Sequence, residues 1–93
     1  MTNVNLASTV CRMPNPVAAD VAGETVLMSL ERNRCYGLGE IGSEIWSKLS
    51  SPMQVADLVK ECSQLYEALP GVIERDVLHM LNEWAKEGLI QVS

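Results

Sequence analysis

The sequence predicts an α+β fold, an N-terminal antiparallel β-hairpin or three-stranded sheet followed by three helices. Three observations carry this. Residues 25–38 hold strand formers on either side of a polar Glu31-Arg32-Asn33 break. From Gly39 onward, three stretches carry apolar residues at helical spacing, punctuated by Ser51-Pro52 and Pro70-Gly71. The charge divides along the same line. Residues 1–39 hold three acids and three bases, while residues 40–93 hold nine acids and four bases, so the net charge of −5 lies in the helical part. With 93 residues and 47% apolar content, the chain can build one small core and is too apolar to remain disordered.

In order, residues 1–8 are small and polar and predict a flexible N-terminus; residues 9–93 form a single domain. Thr9 to Met13 suits a short strand that Pro14 and Pro16 end, since neither can donate to a ladder. Ala18 to Ala22 reads as a connection and Gly23-Glu24 as a turn. In the strand Thr25 to Leu30, Val26, Met28 and Leu30 share one face, and Leu27 stands on the other. An apolar residue on each face predicts cover on both. Glu31-Arg32-Asn33 closes the hairpin, with Asn33 able to take a positive φ. In the return strand Arg34 to Leu38, Arg34, Tyr36 and Leu38 share one face and Cys35 and Gly37 the other.

The first helix spans Gly39 to Ser50 on the stripe Ile41, Ile45, Leu49, widened by Trp46. Gly42 inside it costs about 1 kcal/mol relative to Ala, which predicts a tight contact at that point. Ser51, Pro52 and Gln54 read as the capped start of a second helix, whose stripe runs from Val55 to Leu69 before Pro70-Gly71. The third helix spans about 72–87, with core residues Ile73, Val77, Met80, Leu81 and Trp84. Leu78 falls at the edge of that stripe, and Glu74 and Asp76 suit the helix N-terminal end. Gly88 caps the helix, and residues 89–92 pack down as an extended tail.

Catalytic and ligand-binding motifs find little support. The one histidine, His79, takes a surface position on the third helix and has no partner at metal-ligand spacing, so neither a metal nor a catalytic residue is assigned. Gly37, Gly39 and Gly42 match G-x-G-x-x-G by spacing alone. The chain is too short for a dinucleotide-binding domain and its strands form a hairpin, so no cofactor is assigned. Three separated cysteines, Cys11, Cys35 and Cys62, make no disulfide framework and suit a reducing, cytoplasmic setting. No apolar run approaches the roughly 18 residues of a membrane span. A hairpin and three helices are also the parts of a winged-helix DNA binder. The third helix, however, presents Glu74, Asp76, Glu83 and Glu87 against Arg75 and Lys86, the wrong sign for phosphates. No nucleic-acid or membrane partner is expected.

From Gly23 onward the chain resembles the PqqD-like family of RiPP recognition elements. Cys35-Tyr36-Gly37-Leu38 matches the family's YxLN region, and Ile41-Gly42 with Ile45-Trp46 matches xxGxxIW. Asp76-Val77-Leu78-His79-Met80-Leu81, Trp84 and Gly88-Leu89-Ile90 match the close DVxxFLxxLxxxGLI. Gly39 replaces the usual Asn, and Met80 a frequent Phe. The resemblance implies a winged-helix-like fold that binds the leader segment of a precursor peptide. The leader would add as a strand to the hairpin edge, against the third helix. The implied site is the edge Arg34, Cys35, Tyr36, Gly37 and Leu38 with Arg32, and an apolar wall of Val77, Leu78 and Leu81, joined by Met28 and Glu74. The implied partners are the precursor leader peptide and a leader peptidase or other modifying enzyme. The chain's length favours a stand-alone carrier of lasso-peptide maturation, with pyrroloquinoline-quinone biosynthesis as the rival pathway. An open edge also allows a monomer to pair into a weak dimer.

Overall fold

A computed structural model describes residues 3–69 and 71–93. The architecture is α+β, two three-stranded antiparallel sheets and three helices. The winged-helix likeness is an analogy of parts. The strands are β1 (Thr9–Arg12), β2 (Val17–Val21), β3 (Glu24–Ser29), β4 (Arg34–Gly37), β5 (Met53–Gln54) and β6 (Ile90–Val92). The helices are α1 (Gly39–Lys48), α2 (Val55–Leu65) and α3 (Val72–Lys86). One sheet has the order β5-β1-β6, so the C-terminal strand returns beside the first, with Val10 opposite Val92. The other is the meander β2-β3-β4.

Four sequence expectations are corrected here. First, residues 17–21 form a strand, where a connection was expected. Its residues are exposed throughout, so no hydrophobic alternation marks it. What makes it a strand is its ladder to β3 across a tight turn in which Ala22 and Gly23 both take positive φ. That is the geometry that fits a twisted two-residue hairpin. Second, β3 is covered on one face only. Leu27 lies in a cross-strand row with Ala18 and Tyr36 and is fully buried under the helices. Val17, Met28 and Cys35 form the next row on the other face, where Val17 and Met28 are 47% and 38% exposed. Third, Met53-Gln54 pairs with β1 as a short strand, so the second helix starts at Val55 with no side-chain cap. It ends at Leu65; Pro70 of the expected stop signal lies outside the described residues.

Fourth, the segment expected to be loose is tied down from Val4. The Val4 N–H donates to Asn82 Oδ1 (2.9 Å), and Asn82 Nδ2 donates back to the Val4 carbonyl (3.3 Å) and to that of Leu78 (2.8 Å). The Ala56 and Val55 N–H groups donate to the carbonyls of Leu6 and Ser8. Val4 itself is buried. Val4 and Leu6 stand alone among small polar residues and make no periodic signal, and the other anchors are hydrogen bonds to the segment's backbone.

One core joins both sheets to the helices, centred on Leu27, Ile45, Leu49, Val55, Leu58, Leu81 and Leu89. Trp46 of α1 and Trp84 of α3 meet edge to face, centroids 5.8 Å apart and planes at 82°. Arg12 lies over the Trp46 ring, 5.3 Å from its centroid, and its Nε donates to the Trp46 carbonyl (2.9 Å). The tight contact expected at Gly42 is present. A Cβ there would stand 3.1 Å from Leu38 Cβ and 3.4 Å from Met80 Sδ, so glycine sets how closely α1 approaches α3.

Candidate functional site

β4 bonds to β3 on one side, and among the described residues no strand pairs with its other edge. The direction of its backbone groups follows from one bond. The Leu38 N–H donates to the Thr25 carbonyl (3.0 Å), which makes 25/38 a hydrogen-bonded pair. Antiparallel ladders alternate, so Leu27/Tyr36 and Ser29/Arg34 are hydrogen-bonded pairs as well. Met28/Cys35 and Val26/Gly37 are then the pairs without mutual bonds. The N–H and C=O groups of Cys35 and Gly37 therefore point outward, free for another chain, while those of Tyr36 are spent on β3. The hairpin is fixed to α1 by Ser43, whose Oγ accepts the Thr25 N–H (2.8 Å) and donates to the Gly39 carbonyl. Gly39 takes φ +71 to turn the chain from edge to helix, a backbone state that Asn or Gly can supply.

Beside this edge runs an open groove of about 590 Å³ between β4 and α3. Leu38, Ile41, Met80 and Trp84 give it apolar surface; Asp76, His79 and Glu83 stand along the α3 side. One end is closed by Glu87, which also lines it. The Tyr36 hydroxyl donates to Glu87 Oε2 (2.9 Å), Arg34 Nη1 to Oε1 (3.3 Å), and Arg32 Nη1 stands 3.6 Å from Oε2. Burial, then the hydrogen bond to Glu87 and that residue's charge, push the Tyr36 phenol above its ordinary 10; the two arginines pull the other way. Charge thus runs from basic at the hairpin end to acidic along α3.

Of the residues expected from the sequence, the structure brings Arg34, Tyr36, Gly37 and Leu38 to this groove or its end, with Arg32 beside them. Cys35 joins through its backbone, while its side chain and that of Met28 stand on the opposite face of the sheet. The expected apolar wall needs correction. Val77 and Leu81 are core residues, 1% and 0% exposed, beyond the reach of an incoming chain. Leu78 lies about 200° around the helix from Met80, packed against the core on the side where Asn82 grips its carbonyl. Glu74 lines a separate cleft with Val59, Ser63 and Tyr66. A buried stripe has two edges, and the edge facing β4 is the one with Asp76, His79, Met80, Glu83 and Glu87. The signal that identifies it is charge: arginines on the hairpin call for the acidic edge.

Among the described residues, no group of three or more His, Cys, Asp or Glu side chains is placed to hold a metal ion. No helix among them is long and apolar enough to cross a membrane.

The family model described as Coenzyme PQQ synthesis protein D (PqqD) matches residues 24–90, from the start of β3 to that of β6. The chain belongs to the PqqD family. The PqqD match thus takes in every groove residue named above. Two solved structures are similar to this PqqD-family chain. One is described as TbiB1 in complex with the TbiA(beta) leader peptide. It is 27% identical, with a TM-score of 0.77, over 87% of this chain and 94% of that one. The other is the PqqD truncation of Methylobacterium extorquens PqqCD, described as a functional, stand-alone RiPP recognition element. It is 19% identical, with a TM-score of 0.77, over 95% and 94% of the two chains, and it supports the fold. The curated proteins give no match.

Proposed function

We propose that this chain binds the leader segment of a ribosomally made precursor peptide as an added strand on β4 and presents it to a modifying enzyme or leader peptidase. The observation that carries this reading is the outward pair of backbone groups at Cys35 and Gly37, set beside the groove of Leu38, Ile41, Met80 and Trp84. Strand addition takes affinity from such main-chain groups and specificity from pockets for alternate side chains. The 27% identity to TbiB1, whose structure holds a leader peptide, supports the same reading. The acidic α3 side favours a peptide over phosphates, and the chain acts by recognition rather than by catalysis.

The binding residues we propose are Arg34, Cys35, Tyr36, Gly37 and Leu38 on the edge and Ile41, Asp76, His79, Met80, Glu83 and Trp84 across the groove, with Glu87 at its end in the free chain. We place the chain in the cytoplasm and in lasso-peptide maturation, the pathway that the sequence resemblance favours. The family description makes pyrroloquinoline-quinone biosynthesis the second reading. Without a peptide the chain is a monomer or a weak dimer paired through the same edge.

The test is a titration of the isotope-labelled protein with the leader segment of the precursor encoded beside its gene. Amide signals of residues 34–38 and 76–87 are expected to move. No binding, or binding that leaves these signals fixed at saturation, overturns the proposal. A neighbouring transglutaminase-like peptidase and an asparagine-synthetase-like cyclase support the lasso pathway, and their absence beside a quinone-cofactor gene set overturns it.

A further inference from the structure

Arg32, Arg34 and Tyr36 direct three donors at both oxygens of a single carboxylate, that of Glu87. The place is unfavourable for that charge. Glu87 is the C-cap of α3, where the helix dipole is negative, and Glu83 stands one turn before it. The hairpin donors hold Glu87 there against the local field. Both arginine side chains remain open to solvent, 49% and 63% exposed. Arg34 and Tyr36 lie on the face of β4 that looks into the groove, the face to which alternate side chains of an added strand would also point.

We infer that Arg32, Arg34 and Tyr36 form a carboxylate-receiving site at the end of the groove, and that Glu87 is its resident occupant, displaced by an aspartate or glutamate of the bound peptide. The inference rests on strand addition at β4. A peptide carboxylate carried on the added strand sits across from Arg34, in the opposite-charge arrangement that stabilises neighbouring strands, and away from the helix end that disfavours Glu87. The released Glu87 turns to solvent. The site therefore reads one acidic residue, placed on the groove-facing side of the peptide and two residues from an apolar one that rests on Met80 and Trp84. Glu87 sets a threshold: a peptide without the acid gains nothing at this end of the groove.

The probes are the leader segment encoded beside this gene and the same segment with the groove-facing Asp or Glu changed to its amide. Each is titrated calorimetrically into the wild-type chain, Glu87→Gln and Arg34→Gln, with amide spectra confirming the fold of each variant; Glu87→Ala replaces Glu87→Gln should the latter fail to fold. Exposed ion pairs of this kind predict that Glu87→Gln binds the native leader about three- to tenfold more tightly. The amide leader is expected to bind wild type and Glu87→Gln alike, and Arg34→Gln to weaken the native leader selectively. Suppose the native leader still binds, moving the signals of Cys35 and Gly37, but Glu87→Gln leaves its affinity unchanged or lowers it. Then Glu87 is only a brace, and this inference falls while leader binding stands. A leader that binds there with no acid on its groove-facing side has the same consequence. If no leader binds any of the proteins, the proposed function fails and takes the inference with it.

Discussion

Gly37→Pro is expected to weaken peptide binding sharply while leaving the fold intact. The Gly37 N–H points away from β3, so proline removes no bond of the existing ladder, and proline is tolerated where the N–H of an edge strand faces outward. A Cβ at this position meets nothing within 4 Å, and the backbone does not take the left-handed conformation. What is lost is one donor to the added strand, together with the cost of leaving the peptide carbonyl unpaired. Together these come to about 1–3 kcal/mol, or roughly a five- to 150-fold loss of affinity. Two controls separate the causes. Gly37→Ala adds a side-chain atom but keeps the N–H, and is expected to bind nearly as the wild type does. Tyr36→Pro removes a donor that β3 uses, and is expected to destabilise the hairpin itself. The assay is calorimetric titration with the leader, alongside urea unfolding of each variant. A folded Gly37→Pro that binds as well as the wild type refutes the ladder argument. Equal losses in Gly37→Ala and Gly37→Pro would show that space, not the donor, decides.

Asn82→Ala should loosen the chain at Val4, because two of the three hydrogen bonds of that side-chain amide go to the Val4 backbone, while Leu6 and Ser8 stay held by Ala56 and Val55. A loss of about 1–3 kcal/mol in urea unfolding, with faster exchange of the Val4 amide, checks this; an unchanged exchange rate refutes it. Cys62 is fully buried and burial pushes its thiol up, so a thiol reagent should modify exposed Cys35 first and reach Cys62 only in denaturant. Tyr36 should ionise above its ordinary 10 in an ultraviolet titration, and Glu87→Gln should bring it down by removing the nearby negative charge, since the amide oxygen can still accept from the phenol. The sign for stability follows. A raised folded-state value gives a contribution fully present below the unfolded value and lost as pH rises through the folded one, so the alkaline loss of stability due to Tyr36 starts at the same pH in both proteins and should be smaller in Glu87→Gln.

Much of the fold was legible because its signals are local. The stripes at Ile41–Ile45–Leu49 and Ile73–Val77–Leu81 specify helices by period alone, and Asn33 takes the positive φ expected of it. β2 was not legible, since Ala, Ala and Asp in an exposed strand carry no pattern; only the partner strand defines it. β5 was hidden by a good capping sequence that the structure uses for pairing instead. At the groove, the edge strand could be read from the hairpin, but periodicity alone could not give the facing wall, for which the charge match to the hairpin arginines was the only signal. Helical periodicity gives the angle between residues and not the rotation of the helix toward a particular neighbour. Leu78 and Met80 flank the same stripe, and Gly42 settles the choice by letting α1 close onto the Met80 side. Burial of Val77 and Leu81 follows from the same rotation.

The indole pair has a consequence for observing the groove. Trp46 and Trp84 are the chain's two tryptophans, and they touch each other edge to face. Trp84 also lines the groove, so anything that settles there changes the polarity around one member of an excited-state pair while the other stays in the core. Intrinsic emission from the unlabelled protein is therefore a direct optical reading of whether the groove is occupied. A Trp46→Phe variant would leave Trp84 as the sole tryptophan, so that emission excited beyond the tyrosine absorption reports one site.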